Sequence, residues 1–546
     1  MKRTAKPDPL PLPLPEAIAP MHLKIVAAAA ALFATLPALT SLAEEPQRGG
    51  AIVFAITTDP PNINPDVTTG IPEELTACII YQALTRIDGE GNVKPLLAKS
   101  WTITPDGKTY SFDLVKANWQ DGKPFTSEDV KYTLLEVSAK YGPLFQGAGK
   151  LIEAIETPAS DKVVIKLKES YGPFLLSLAC TMNAGILPAH VYAGTDPMKN
   201  PATFSTPVGL GPFLLTDWKR GDHLRFGRNP NYWEPGKPYL DEVIAKIIPN
   251  AGSRARALQA GEIDFLNYYY FPAADYKIAR DDPKLALKPA HVAPGTDFAF
   301  VNIHRKPFDD KRVRQALLMA TDRDYIRNTV YQGLGDVGIM PFTSQIKWAA
   351  NHDIDYRKMY PFDYAKANAV LDEVGAKRGA DGTRFKVDLV YAADSQELAV
   401  VAVALKAMWR NVGVDVTVDA VDSAIAQKRV FVDRDYDLSL QSFTSFGDPA
   451  IGIARQYVTG SIGRPNSNAS AYSNPEVDDL FNKGQASTDP EVRGVFYKKA
   501  QAILAVDLPV LTLHERALSD GMSRLIEGID DENFTLMWRD AWRRKN

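Results

Sequence analysis

The sequence runs to 546 residues, more than one hydrophobic core ordinarily holds and enough for two to four domains. Apolar residues make up 45% and charged ones 23%, a globular mixture, and a formal net charge of -4 offers nothing to attract nucleic acid. The 39 prolines and 36 glycines are scattered, so they punctuate short elements and do not form linkers.

Lys2, Arg3 and Lys6 precede a proline-rich stretch, and from Met21 the pattern changes to His22, Lys24 and an apolar, alanine-rich run over 25–42. Ser41-Leu42-Ala43 then supplies a small-x-small site before polar Glu44-Glu45. A basic region, an apolar run and such a site form the pattern of a signal peptide (residues 1–43) cleaved near Ala43, with Met21 as a second candidate start. Alanine, threonine and proline dilute the run, which makes it marginal for a span of about 30 Å. Cys78 and Cys180 are the only cysteines, and neither ends the apolar run where a lipid would attach. A soluble periplasmic protein, not a lipoprotein, is expected. In an oxidising compartment the two cysteines either pair or remain two buried thiols.

Ala51–Ile56 reads as a strand ended by Asp59-Pro60-Pro61, and apolar spacing predicts a helix over 73–87. Trp101–Ile103 and Thr109–Leu114 alternate like strands joined by the turn Pro105-Asp106-Gly107-Lys108. Ser127-Glu128-Asp129 reads as the cap of a helix from Val130, and Val163–Leu167 as a further strand. Phe213–Leu215 and His223–Phe226 read as paired strands, Val243–Ile248 as another, and Ser253–Ala260 as a helix ending at Gly261. After Asp309 come helices over 311–319 and 365–374, a strand-helix-strand unit (385–391, 398–412, 414–418), a strand over 437–441, and helices from 476 to 505. This order fits α/β lobes with mixed sheets, neither a bundle nor a sandwich.

Arrangements that carry catalysis are missing. His514-Glu515 lacks the second histidine of a zinc protease helix, and Gly460-Ser461-Ile462-Gly463 follows Thr459 where a nucleophile elbow needs glycine. Gly147-Ala148-Gly149-Lys150 has Leu144 where a phosphate loop needs its earlier glycine, and Leu151 where it needs Ser or Thr. Seven dispersed histidines and two distant cysteines give no metal constellation, so no cofactor, metal or enzymatic turnover is expected.

The segments Pro95–Trp101, Thr104–Phe112 and Trp119–Val130 together resemble the signature of the family 5 extracellular solute-binding proteins, the peptide and nickel receptors of ABC importers. Three further blocks agree with it. They are Gly209–Phe213 with Asn229–Trp233, then Gly261-Glu262-Ile263-Asp264, then Asn302, Pro307–Asp310, Val313–Ala316 and Asp322-Arg323. The resemblance spans essentially the whole chain after the leader. It implies an α/β fold of two lobes with mixed β-sheets and an extra inserted subdomain. One lobe would comprise 44–90, 205–300 and 506–546, the insert 91–204, and the second lobe 301–505. It also implies a monomeric periplasmic receptor, part of an ABC importer, that closes on a peptide or peptide-like solute and hands it to an inner-membrane permease. A receptor of the same fold for an opine, an oligosaccharide or a metal chelate is the alternative. A chaperone or enzyme on that scaffold is a remoter one.

The same resemblance marks three ligand segments. Thr69-Gly70-Ile71 looks like the loop that pairs main-chain groups with an extended ligand, where Gly70 lets a backbone approach; a plain turn before the helix is the other reading. Asn267, Tyr268 and Tyr269 look like the hinge strand lining the cleft, offering apolar rings with a hydroxyl handle. Ser442 and Ser445 stand where peptide receptors carry a tryptophan and the aspartate that meets a ligand ammonium. Serine cannot neutralise that charge, so Asp448 becomes the candidate to supply it, unless Asp448-Pro449 is simply a turn.

Overall fold

The computed structural model describes residues 45–89, 91–290, 294–393, 395–529 and 538–545. The leader and the expected cleavage site near Ala43 lie outside the described residues.

Ala51–Ile56 forms the predicted strand and becomes the middle of a seven-stranded sheet. It runs parallel to Glu242–Ile247, pairing residue for residue from Ala51 with Glu242 to Ile56 with Ile247. Across the sheet the order is Leu285–Pro289, Ser519–Ser523, Phe265–Leu266, Ala51–Ile56, Glu242–Ile247, His223–Arg228 and Phe213–Lys219. Ile52, Phe54, Leu224, Phe226, Val243 and Ala245 are fully buried there, against Leu75, Ile79 and Ile80 from the helix Ile71–Ile80. That helix stops at Ile80 instead of continuing toward residue 87. Tyr81 turns extended, the Gly211 amide donates to the Ile80 carbonyl at 2.7 Å, and a Cβ at Gly209 would lie 2.0 Å from that same oxygen. The glycine loop thus closes the helix end and admits no side chain there.

An antiparallel sheet of Ala98–Ile103, Thr109–Leu114, Lys162–Leu167 and Ile152–Ala159 forms a separate layer with its own core around Tyr110, Phe112, Val163 and Ile165. The helix beside it starts at Ser127, not Val130. Thr126 is its cap, and the Thr126 amide donates to the Asp129 carboxylate at 2.8 Å, half of a capping box.

The second large sheet runs Asp336–Val337, Val510–Arg516, Gly295–Val301, Leu438–Thr444, Phe385–Ala392 and Val414–Val421. Phe385–Ala392 and Val414–Val421 are parallel and joined by the helix Gln396–Arg410, whose Val401, Leu405 and Trp409 pack on Leu389, Val414 and Val416. Two strands fall on the other side of the expected lobe boundaries. All of Gly295–Val301 but its last residue is expected within 205–300, and Val510–Arg516 within 506–546, yet both pair in the second sheet. The chain therefore passes between sheets before Gly295 and again at Ala517-Leu518. Where a chain crosses between lobes only a few times, the lobes can rotate about the crossings.

Cys78 and Cys180 are joined in a disulfide with Cα atoms 6.1 Å apart. It ties the helix that follows the Thr69–Ile71 loop to the chain beyond the inserted sheet. The bond closes a loop of 102 residues, for which chain entropy alone gives about 4–5 kcal/mol. The double substitution of Cys78 and Cys180 by alanine should lower unfolding stability by about 2–5 kcal/mol. Urea melts of oxidised, reduced and doubly substituted protein check this: reduced and substituted protein should coincide, both below the oxidised form.

Candidate functional site

The Asn267–Phe271 segment is a turn, not the expected strand, because Asn267 spends its polar groups on its own backbone. Its side-chain oxygen accepts from the Tyr269 amide at 3.1 Å and its carbonyl from the Tyr270 amide at 2.8 Å, while the Tyr268 amide donates to Asp520 at 2.8 Å. A strand would send successive rings to opposite faces. The turn frees the tyrosines from that alternation. Tyr268, Tyr269 and Tyr270 all line one cavity of about 150 Å³ at the junction of the two lobes, with Tyr268 and Tyr269 rings 4.5 Å apart. Asn267 itself is buried and holds the turn. Burial raises the pKa of all three phenols, so they stay protonated donors at neutral pH.

Tyr331, Glu397, His514 and Arg516 line the same cavity from the second lobe. Register explains the polar group behind them. Asp297 pairs across one neighbour with Ser442 and across the other with His514, so three adjacent strands put the three side chains in a row. Asp297 is buried; the Ser442 hydroxyl donates to it, His514 Nδ1 lies at 3.4 Å and Arg516 Nε at 3.7 Å. Burial opposes its ionisation, but Arg516, His514 and Ser442 together hold its carboxyl below the usual range. Tyr331 stacks on His514 at 3.7 Å. Ser442 is thus engaged with Asp297 and is not among the residues that line the cavity. Sequence reasoning missed Asp297, Tyr331, Glu397, His514 and Arg516. The available signal was an aspartate directly before the apolar run Phe298–Val301.

The Thr69-Gly70-Ile71 loop lies on the first lobe and is held from below. Asn183 Nδ2 donates to the carbonyls of Pro65 at 2.6 Å and Thr68 at 2.7 Å. Gly70 caps the helix at Ile71, and a Cβ there would lie 2.4 Å from the Glu73 carboxylate. Thr69, Glu73 and Glu74 border a small cavity together with Cys78 and Cys180.

Asp66, fully buried, accepts from the Ser138 hydroxyl at 2.6 Å and the Gly185 amide at 2.8 Å. Burial outweighs both bonds and raises its pKa from 3.8 to about 7. The folded value exceeds the unfolded one, so this group's contribution is full below pH 3.8 and is lost as pH rises to about 7, some 4 kcal/mol at most. Asp66→Asn keeps both partners without a charge, its oxygen accepting from the Gly185 amide and its NH2 donating to the Ser138 hydroxyl oxygen. Its stability should change little between pH 5 and 8 and exceed that of the parent at pH 8, as thermal melts across that range would reveal.

Ser445 and Asp448 are not placed as expected. Ser445 is buried, its amide donating to the Pro294 carbonyl at 3.0 Å and its backbone packed where a Cβ on Gly452 would lie 2.3 Å away. Asp448 presents no free carboxylate: Arg493 takes both its oxygens at 2.6 and 2.7 Å, and both side chains are buried. The turn between them, with Phe446 at φ +51°, sends the Phe446 ring to the lobe junction, where it packs near Tyr268 and Leu518 and, with Ile451, near Ile87, Leu176 and Met182.

A hinged pair of α/β lobes with a tyrosine-lined cavity at their junction defines a two-lobed binding protein. Residues 92–463 match the family described as bacterial extracellular solute-binding proteins, family 5, middle region. The chain belongs to that family. It is 29% identical over 501 residues to the oligopeptide-binding protein AppA of Bacillus subtilis, covering 89% of this chain and 90% of the relative. It is 30% identical over 457 residues to the heme-binding protein A of Haemophilus influenzae, covering 79% and 80%. The solved structure of Bacillus subtilis AppA in complex with a nonapeptide superposes with a TM-score of 0.76 at 27% identity, over 92% of this chain and 100% of that one. Among the described residues no helix is long and apolar enough to cross a membrane, and no three His, Cys, Asp or Glu side chains are grouped to hold a metal ion.

Proposed function

We propose that this protein captures a peptide or peptide-like solute between its lobes and delivers it to an inner-membrane ABC permease, working as a monomer in the periplasm after cleavage near Ala43. The observation that carries the reading is the cavity at the lobe junction, built from the Tyr268–Tyr270 turn on one side and Tyr331, Glu397 and Arg516 on the other. Aromatic faces, phenol donors, the Glu397 carboxylate and the guanidiniums of Arg254 and Arg516 suit a solute with apolar side chains and charged ends. The likeness to AppA, solved with a nonapeptide, supports a peptide. In this reading the Thr69–Ile71 loop meets the ligand backbone, and Ser442 contributes by fixing Asp297 behind Arg516.

The buried Ser445, in place of a free carboxylate, favours a second reading with the same fold: a non-peptide solute such as an opine, an oligosaccharide or a metal chelate. Isothermal titration with a random pool of short peptides separates the two. The peptide reading expects saturable heat at one ligand per protein. No heat from peptides, with saturable heat from sugars, opines or chelates, would overturn it.

A further inference from the structure

The carboxylates around the cleft differ in what answers them. Asp297 has Ser442, His514 and Arg516; Asp448 has Arg493; Glu73 accepts from Thr68 at 3.4 Å. Glu397 lies in the field of Arg516. Glu74, half-buried where it borders the small cavity beside Thr69 and within the electrostatic reach of the tyrosine turn, has none of these. Among the described residues the Glu74 side chain makes no hydrogen bond and no ion pair, and the one charge acting on it is that of Glu73, of the same sign. Its other polar neighbours are the phenols of Tyr268, Tyr269 and Tyr270 from the facing turn. A shielded carboxyl with no cation is pushed toward its neutral form, and a cation that arrives favours the ionised one.

We propose that Glu74 is the counter-charge for a cationic amine of the solute, with the faces of Tyr268 and Tyr269 forming the rest of its seat. Two rings 4.5 Å apart that interact electrostatically with a carboxylate are a setting in which an ammonium gains both ion-pair and cation–π energy. For a peptide that amine is its amino terminus or a lysine side chain. The inference rests on the receptor reading and adds what the solute must carry.

Protonation behaviour agrees with this geometry. Burial, then Glu73, raises the Glu74 pKa to about 8, so at pH 7 it is held protonated. Pairing with an ammonium favours the carboxylate, and binding releases that proton. Of the groups facing it, Tyr268, Tyr269 and Tyr270 are all raised and do not titrate near neutrality. Glu73 is also raised by burial, so the Glu74→Gln variant is what isolates the proton.

The test compares an arginine-free pool of short peptides with the same pool after acetylation of its amines, titrated into the parent protein, Glu74→Gln and Glu74→Asp. The parent should bind the acetylated pool at least about 30-fold more weakly than the free one. Glu74→Gln should lose that preference and most of the proton release seen when buffers of different ionisation enthalpy are compared, while Glu74→Asp should keep both in part. A Glu74→Gln protein that still prefers free amines by the parent's factor overturns the proposal. If neither pool binds the parent, the peptide reading fails first. Putrescine then serves as the probe: binding that Glu74→Gln abolishes supports the amine seat, and no amine binding overturns it.

Discussion

Alanine at Asp448 is expected to destabilise the second lobe by about 3–5 kcal/mol, the cost of leaving a buried guanidinium without its partner. Arg493 is almost fully enclosed. It gives two hydrogen bonds to Asp448 and one from Nε to the Gly484 carbonyl at 2.7 Å, and its guanidinium lies 4.9 Å from the Trp348 ring centroid. Asp448 also caps the turn after it by accepting from the Ala450 amide at 2.8 Å. Removing the carboxylate abolishes the pair and the cap together. Substituting both partners, Asp448→Asn with Arg493→Met, should cost less than the single alanine, because no uncompensated charge then remains buried. Urea unfolding of the three proteins checks the order, and a single variant within about 1 kcal/mol of the parent contradicts it.

The second large effect is on affinity. Gly172, beyond the inserted sheet, touches the second lobe directly: its amide donates to the Gln485 carbonyl at 2.7 Å. A Cβ on Gly172 would lie 2.2 Å from the Ser487 carbonyl oxygen and 2.9 Å from the Arg493 guanidinium. The first is backbone and cannot swing away, so Gly172→Ala should hold the lobes apart at this edge while leaving each lobe folded. Affinity falls by the fraction of molecules able to close. Even about 1.4 kcal/mol against closure weakens binding tenfold, so a loss of at least that factor is expected with an unchanged melting temperature. Titration calorimetry with small-angle scattering reads both. Unchanged affinity and unchanged ligand-induced compaction would contradict the role of this contact.

Much of the fold was legible because its signals are local. The alternation of Thr109–Leu114, the apolar spacing of Gln396–Arg410 and the αL glycine Gly261 each declare an element within a few residues. The lobe boundaries were less legible. Gly295–Val301 and Val510–Arg516 are strands by any local criterion, but which sheet takes them is decided by partners 137 to 149 residues distant in the one case and more than 200 in the other. The site was legible as segments, not as chemistry. The Tyr268–Tyr270 cluster lines the cavity and Ser442 bonds Asp297 in the neighbouring strand, but the turn made by Asn267 and the row Ser442–Asp297–His514 come from hydrogen bonds and register that spacing does not encode. Asp448 was a reasonable candidate for a free charge until Arg493, 45 residues later, met it.

The most direct measurement is native mass spectrometry of the protein purified under gentle conditions, followed by release and fragmentation of whatever it carries. A peptide or amine-bearing peptide-like molecule at one per protein, exchangeable for free-amine peptides and displaced far less well by acetylated ones, is the predicted result. A protein that carries a sugar, an opine without a free amine or a metal chelate, and ignores peptides, would contradict it.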